Sequence, residues 1–82
     1  LVDCNDPDGC PFQLATANIV VGAQTEIISI STNANTLSMA DVAGAQHVAS
    51  TFTMGTDDII LFRYIANRSG AAIWLERGRS NN

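Results

Sequence analysis

The chain contains no lysine, and its four basic residues are all arginine: Arg63, Arg68, Arg77 and Arg79. Its formal net charge is −4 over 82 residues. A basic face is what phosphate backbones and anionic membrane surfaces require, so nucleic acid and anionic membranes are not expected partners. No apolar run reaches the roughly 18 residues of a membrane-crossing helix, so membrane insertion is not expected. Histidine occurs once, at His47. No serine sits in a Gly-x-Ser-x-Gly elbow, and no nucleophile stands with a base and an orienting acid. The two cysteines lack Cys-x-x-Cys spacing, so with His47 they do not form a zinc set. No internal repeat, low-complexity tract or signal peptide is evident, and the start at Leu1 reads as a processed form or a fragment. The chain is therefore not expected to be an enzyme, and no cofactor or metal is implied.

What is present is apolar material. The composition is 46% hydrophobic and 15% charged, with a mean hydropathy of +0.14. A domain of this length buries only about 60–65% of the surface its unfolded chain exposes. Small chains solve that shortage by oligomerising or by disulfides. The exclusive use of arginine suits packed or interfacial ion pairs, because the guanidinium is less strongly hydrated than an ammonium; a biased genome gives the same composition.

Residues 1–12 form a turn-rich arm, and residues 13–82 a single β domain. Cys4 and Cys10 flank Asn5-Asp6-Pro7-Asp8-Gly9, where Pro-Asp-Gly signals a turn. The turn brings the thiols together, so a Cys4–Cys10 disulfide and an oxidising compartment are expected. Asp3, Asn5, Asp6 and Asp8 offer oxygen ligands at the density Ca²⁺ uses. Pro7 interrupts them and no Glu closes the loop, so they read as turn residues bonding their own backbone.

In the body, residues 25–32 are β-branched and alternate as a strand, with Ile28 and Ile30 on one face and Ser29 and Ser31 on the other. Asn33-Ala34-Asn35 is a turn. Residues 36–50 are Ala-rich, which favours a helix, but a helix there puts Asp41 and Gly44 on its apolar stripe. Strands fit better: Leu37 and Met39 share a face, a turn falls at Gly44, and alternation resumes through Phe52 and Met54. The next strand is apolar on both sides, with Ile60, Phe62 and Tyr64 on one face and Ile59, Leu61 and Ile65 on the other. A strand apolar on both faces is covered on both. In so small a domain the second face is read as an assembly interface of Ile59, Leu61 and Ile65, against the alternative of a central strand covered by loops. A turn at Gly70 leads into a last strand with Ile73 and Leu75 on one face and Trp74 and Glu76 on the other. The expected fold is all-β, a small antiparallel β-sandwich or β-prism of about six short strands assembling with neighbouring subunits.

Asp57 and Asp58 are adjacent, project to opposite faces and read as turn residues rather than a carboxylate pair. Glu26 and Glu76 are placed to pair with Arg63 or Arg77 across strands. Tyr64 and Trp74 on neighbouring strands form either packing or a ligand platform for a glycan or receptor, and packing is favoured. Asn67-Arg68-Ser69 is a glycosylation sequon if the source glycosylates.

Asp58, Ile60, Phe62, Tyr64, Trp74, Glu76, Arg79 and Ser80, preceded by residues 36–39 and 52–55, carry a pattern that resembles the C-terminal β-rich cap or tip domain of bacteriophage tail fibres and tailspikes. The resemblance spans about residues 25–82 and rests on strands and marker residues rather than a catalytic motif. It implies an all-β, usually trimeric homo-oligomer in a virion or extracellular setting, with some members touching a host surface. The arm with Cys4 and Cys10 departs from the pattern and leaves room for a decoration or filament subunit. The alternative is a small secreted toxin or effector subunit that acts by binding a partner, which would suit a helix within residues 36–50.

Overall fold

The computed structural model describes residues 1–30, 35–66 and 72–81. The last two positions of the strand expected over 25–32, Ser31 and Thr32, the first two of the expected Asn33–Asn35 turn, the sequon at Asn67 and the turn at Gly70 lie outside the described residues.

Seven strands and no helix are found there: β1 (Cys10–Phe12), β2 (Gln24–Ile28), β3 (Leu37–Met39), β4 (Gln46–His47), β5 (Phe52–Met54), β6 (Ile59–Ala66) and β7 (Ala72–Ser80). They make a three-stranded sheet ordered β1-β3-β5 and a four-stranded sheet ordered β2-β6-β7-β4. The all-β reading holds, and residues 36–50 take the strand alternative. β3 buries Leu37 and Met39, β5 buries Phe52 and Met54, and Gly44 turns the chain with a φ of 76°.

Period-2 alternation puts one side of each sheet into a shared core. Leu37, Met39, Phe52 and Met54 come from the three-stranded sheet; Ile27, Ile60, Phe62, Tyr64 and Trp74 come from the four-stranded one. In β2 the inward positions are Ile27 and, just beyond the strand, Ser29, while Ile30 is exposed. A serine therefore occupies an inward position and an isoleucine an outward one, which hydropathy alone does not reveal.

Two pairings run parallel, β1 with β3 and β4 with β7. Parallel neighbours need crossover connections rather than hairpins, and here the crossovers bring residues 13–23 and 48–51 over the ends of the core. The N-terminal segment is not separate from the body. Cys10, Pro11 and Phe12 pair with Leu37, Ser38 and Met39, and Val2 bridges Ser29, donating its N–H to the Ile28 carbonyl at 2.9 Å. That participation supplies the seventh strand. The Cys4–Cys10 disulfide is formed, with Cys4 buried. Closing so small a loop removes limited chain entropy and contributes about 2 kcal/mol.

Connections between such short strands leave backbone groups that ladder bonds cannot reach, and one buried side chain collects several of them. Gln46 is 1% exposed. Its Oε1 accepts from the Leu14 N–H at 2.8 Å. Its Nε2 donates to the carbonyls of Phe12 and Ala40, each at 2.9 Å. One carboxamide thus joins the ends of β1 and β3 to β4. Leaving a buried group unpaired costs about 1–3 kcal/mol, so Gln46→Leu is expected to destabilise by about 3 kcal/mol and lower the melting temperature by more than about 10 °C. A thermal melt checks this, and a Leu variant as stable as the wild type would remove Gln46 from this role.

Candidate functional site

The outward sides of the two sheets differ in chemistry. Outside the three-stranded sheet, Pro11, Ser38 and Thr53 form one cross-strand row, small and largely polar. Outside the four-stranded sheet the register places Ile28 of β2, Ile59, Leu61 and Ile65 of β6, and Ile73 and Leu75 of β7. The structure therefore brings the sequence-derived interface residues Ile59, Leu61 and Ile65 onto one surface and adds three aliphatics beside them. Leu61 is 39% exposed, and the other five are half-buried by one another. His47 borders the patch, opposite Leu75.

The inward side of the closing hairpin is occupied by packing. Tyr64 and Trp74 are direct cross-strand partners, with ring centroids 5.0 Å apart and planes at 60°, an edge-to-face geometry worth about 0.5–1.5 kcal/mol beyond burial. Both are at least 94% buried. Trp74 Nε1 donates to the Ala15 carbonyl at 2.9 Å, and the Tyr64 hydroxyl lies 3.5 Å from the Thr16 carbonyl. Neither ring offers a face to a sugar, so of the two alternatives for Tyr64 and Trp74 the structure holds the favoured one, packing beneath the 13–23 crossover, and not the possible ligand platform.

A bulge in β7 sets the second polar feature. Leu61 opposes Gly78 and Phe62 opposes Glu76, so Arg77 is an extra residue. Residues three apart on a regular strand face opposite ways; the extra residue turns both Glu76 and Arg79 toward the core side. Arg79 grips Glu76 with two bonds, Nε to Oε2 at 2.7 Å and Nη2 to Oε1 at 2.8 Å. Its Nη2 also donates to the Ser50 carbonyl at 2.8 Å, and its guanidinium lies 4.5 Å over the Phe52 ring. Glu76 Oε1 accepts from the Ala49 N–H at 2.8 Å. The fork ties β7 to the segment that crosses to the other sheet. Among the described residues Glu26 forms no such pair, and Glu76 pairs with Arg79 rather than Arg63 or Arg77, because β7's parity changes at Arg77.

The remaining candidates are local. Asp6 Oδ1 accepts from the Asp8 N–H at 3.0 Å, an Asx turn. Asp57, with φ at 67°, and Asp58 make the turn before β6; Asp58 Oδ2 accepts from the Gly55 N–H at 2.8 Å. His47 Nδ1 lies 3.4 Å from Asp41 Oδ2 with both side chains about 60% exposed. A solvated pair of this kind contributes little, and among the described residues no hydroxyl bonds the imidazole. An open concavity of about 370 Å³ lies against Asp41, Val48, Ser50 and Thr51. Its carboxylate already accepts from the Val48 N–H at 2.6 Å. Among the described residues no three His, Cys, Asp or Glu side chains converge as a metal set. Sequence reasoning missed Gln46, whose only signal is a polar residue between Ala45 and Val48, and Arg79, whose orientation depends on the bulge.

No protein-family model, curated protein or solved structure matches this chain.

The Arg79 guanidinium hydrogen-bonded to Glu76 holds its carboxyl below the ordinary glutamate range, against burial, which raises it. Arg79 is raised by the same contact and stays charged. A carboxyl lowered on folding stabilises the native state above its unfolded pKa, and that contribution disappears as pH falls through the lower folded value. Glu76→Gln is therefore expected to cost about 1.5 kcal/mol at about pH 7 and progressively less in acid, at a pH below the ordinary glutamate range. Urea melts at the two pH values test this; an equal cost at both would show that the ionised pair contributes nothing.

Proposed function

We propose that the protein is a structural, self-assembling subunit of a virion or extracellular appendage, a fibre tip, decoration or filament element, and that it works by burying the outward face of its four-stranded sheet against neighbouring copies. The observation that carries this reading is the asymmetry of the two outer faces. Identical alternation produces a polar row of Pro11, Ser38 and Thr53 on one side and six aliphatics on the other. Contiguous apolar patches rimmed by polar residues mark interaction surfaces. Apolar burial contributes about 25 cal/mol per Å², which must exceed the about 4–15 kcal/mol that association costs.

The tail-fibre resemblance supports the same reading and implies three copies and contact with a host surface. Its marker residues Ile60, Phe62, Tyr64, Trp74, Glu76 and Arg79 all fall on the core side of the hairpin, as determinants of a fold rather than of a reaction. The disulfide is compatible with an extracellular setting. The toxin alternative drew on a helix within residues 36–50, and those residues hold β3, β4 and turns.

Leu61→Asp places a charge in the centre of the patch. The wild type is expected to assemble and the variant to run as a folded monomer, read by light scattering with circular dichroism as the control for folding. A variant that keeps the wild-type assembly state would show that this face is not the interface.

A further inference from the structure

The apolar face also carries charge, with Arg77 exposed at the β7 bulge, and the placement of Glu26 and Arg63 selects a partner. Glu26 lies on the outward side of β2 beside Leu61, and Arg63 lies on the outward side of β6 beside Gln24. They occupy diagonal positions of one strand pair, a spacing of about 7–8 Å. Both are exposed. Among the described residues neither makes an ion pair or side-chain hydrogen bond, in contrast to the doubly bonded Glu76 and Arg79.

Resting on the assembly reading above, we infer that the occupant of this face is a second copy of the chain, packed face to face about a two-fold axis, with Glu26 of each copy against Arg63 of the other. Covering an unpaired charge with apolar surface is costly. A partner for this face must therefore bring a positive group to Glu26 and a negative group to Arg63 at the same short spacing. The same face of another copy does so by symmetry. A two-fold axis lying in the interface and passing midway between the two residues superposes each on its counterpart. Leu61 adjoins that axis, so the most exposed aliphatic of the patch sits at its centre.

The close spacing also sets the symmetry, and it departs from the three copies that the tail-fibre resemblance implies. A three-membered ring would give Glu26 to one neighbour and Arg63 to another, and two neighbours cannot both occupy one diagonal of one strand pair. The face is modest in size. The 24 residues of its four strands, at about 3.3 Å rise and about 4.8 Å spacing, cover about 380 Å² per copy. The total of about 760 Å² is in the range of weak, transient contacts. At that size, charge complementarity fixes the orientation.

Charge reversal tests this. Glu26→Arg sets two Arg–Arg contacts in a two-fold dimer, and Arg63→Glu sets two Glu–Glu contacts. Each single variant is expected to weaken self-association at least about tenfold. An equimolar mixture of the two restores both Glu–Arg contacts and is expected to recover a one-to-one dimer with wild-type affinity, as is the double variant E26R/R63E alone. Native mass spectrometry reads both. A three-membered ring cannot alternate two variants, so recovery of a three-copy species overturns the two-fold. Wild-type association in either single variant, or no recovery on mixing while Leu61→Asp still dissociates the wild type, overturns the pairing and leaves the assembly reading standing. A wild type that is monomeric at high concentration overturns both.

Discussion

The fold depends on one buried carboxamide. Three-residue strands supply few ladder bonds, and parallel pairing forces the chain into long crossovers whose backbone groups must find partners inside the protein. Gln46 meets that demand at the centre of the molecule, accepting from Leu14 and donating to Phe12 and Ala40. Its backbone is at the same time in register with Trp74 in the four-stranded sheet. The amide therefore couples the ends of the small sheet to the large one, where apolar contact alone is non-directional. A satisfied buried network specifies one arrangement, and the same network half-satisfied would be costly. The Glu76–Arg79 fork does the corresponding work at the other crossover, tying β7 to residues 49–52 by two hydrogen bonds and a ring contact.

Much of the fold was legible in the sequence where it depends on alternation. β3, β5, β6 and β7 were readable from Leu37/Met39, Phe52/Met54, Ile60/Phe62/Tyr64 and Trp74, because each strand carries large apolar residues on its core face, with Glu76 and Arg79 the exceptions in β7. The local disulfide was legible from the turn between its cysteines. What was not legible depends on non-local geometry. The parallel alliance of Cys10–Phe12 with Leu37–Met39 leaves no local signal, so the N-terminal segment looked detached. The inward Ser29 and outward Ile30 invert the hydropathy of β2. The bulge at Arg77 exchanges the partners open to Glu76, and no residue pattern announces it. Of the candidate site, Ile59, Leu61 and Ile65 were recoverable from the second face of one strand; Ile28, Ile73 and Leu75 joined them only through register.

The two outer faces show how one periodicity serves two ends. Where Pro11, Ser38 and Thr53 alternate with core residues, the sheet ends in water, and no partner is needed. Where Ile59, Leu61 and Ile65 alternate with Ile60, Phe62 and Tyr64, β6 is apolar on both faces apart from Arg63, as strands covered on both sides tend to be. The charges left on that side, Glu26 and Arg63, would make the proposed interface selective rather than merely adhesive.

The position of β7 within its sheet has a consequence for synthesis. It is the last of the described strands, yet it lies between β6 and β4, and among the described residues β4 has no other strand partner. A ribosome releases the chain from its N-terminus at about 5–20 residues per second, so β1 to β6 emerge as an incomplete sandwich. During that interval Phe62 and Tyr64 lack Trp74, Gln46 lacks its anchoring strand, and one long edge of β6 is open to foreign strands. The nascent protein is thus most vulnerable to misassociation just before residues 72–80 arrive. Insertion of that strand is the event that converts a collapsed chain into a closed one.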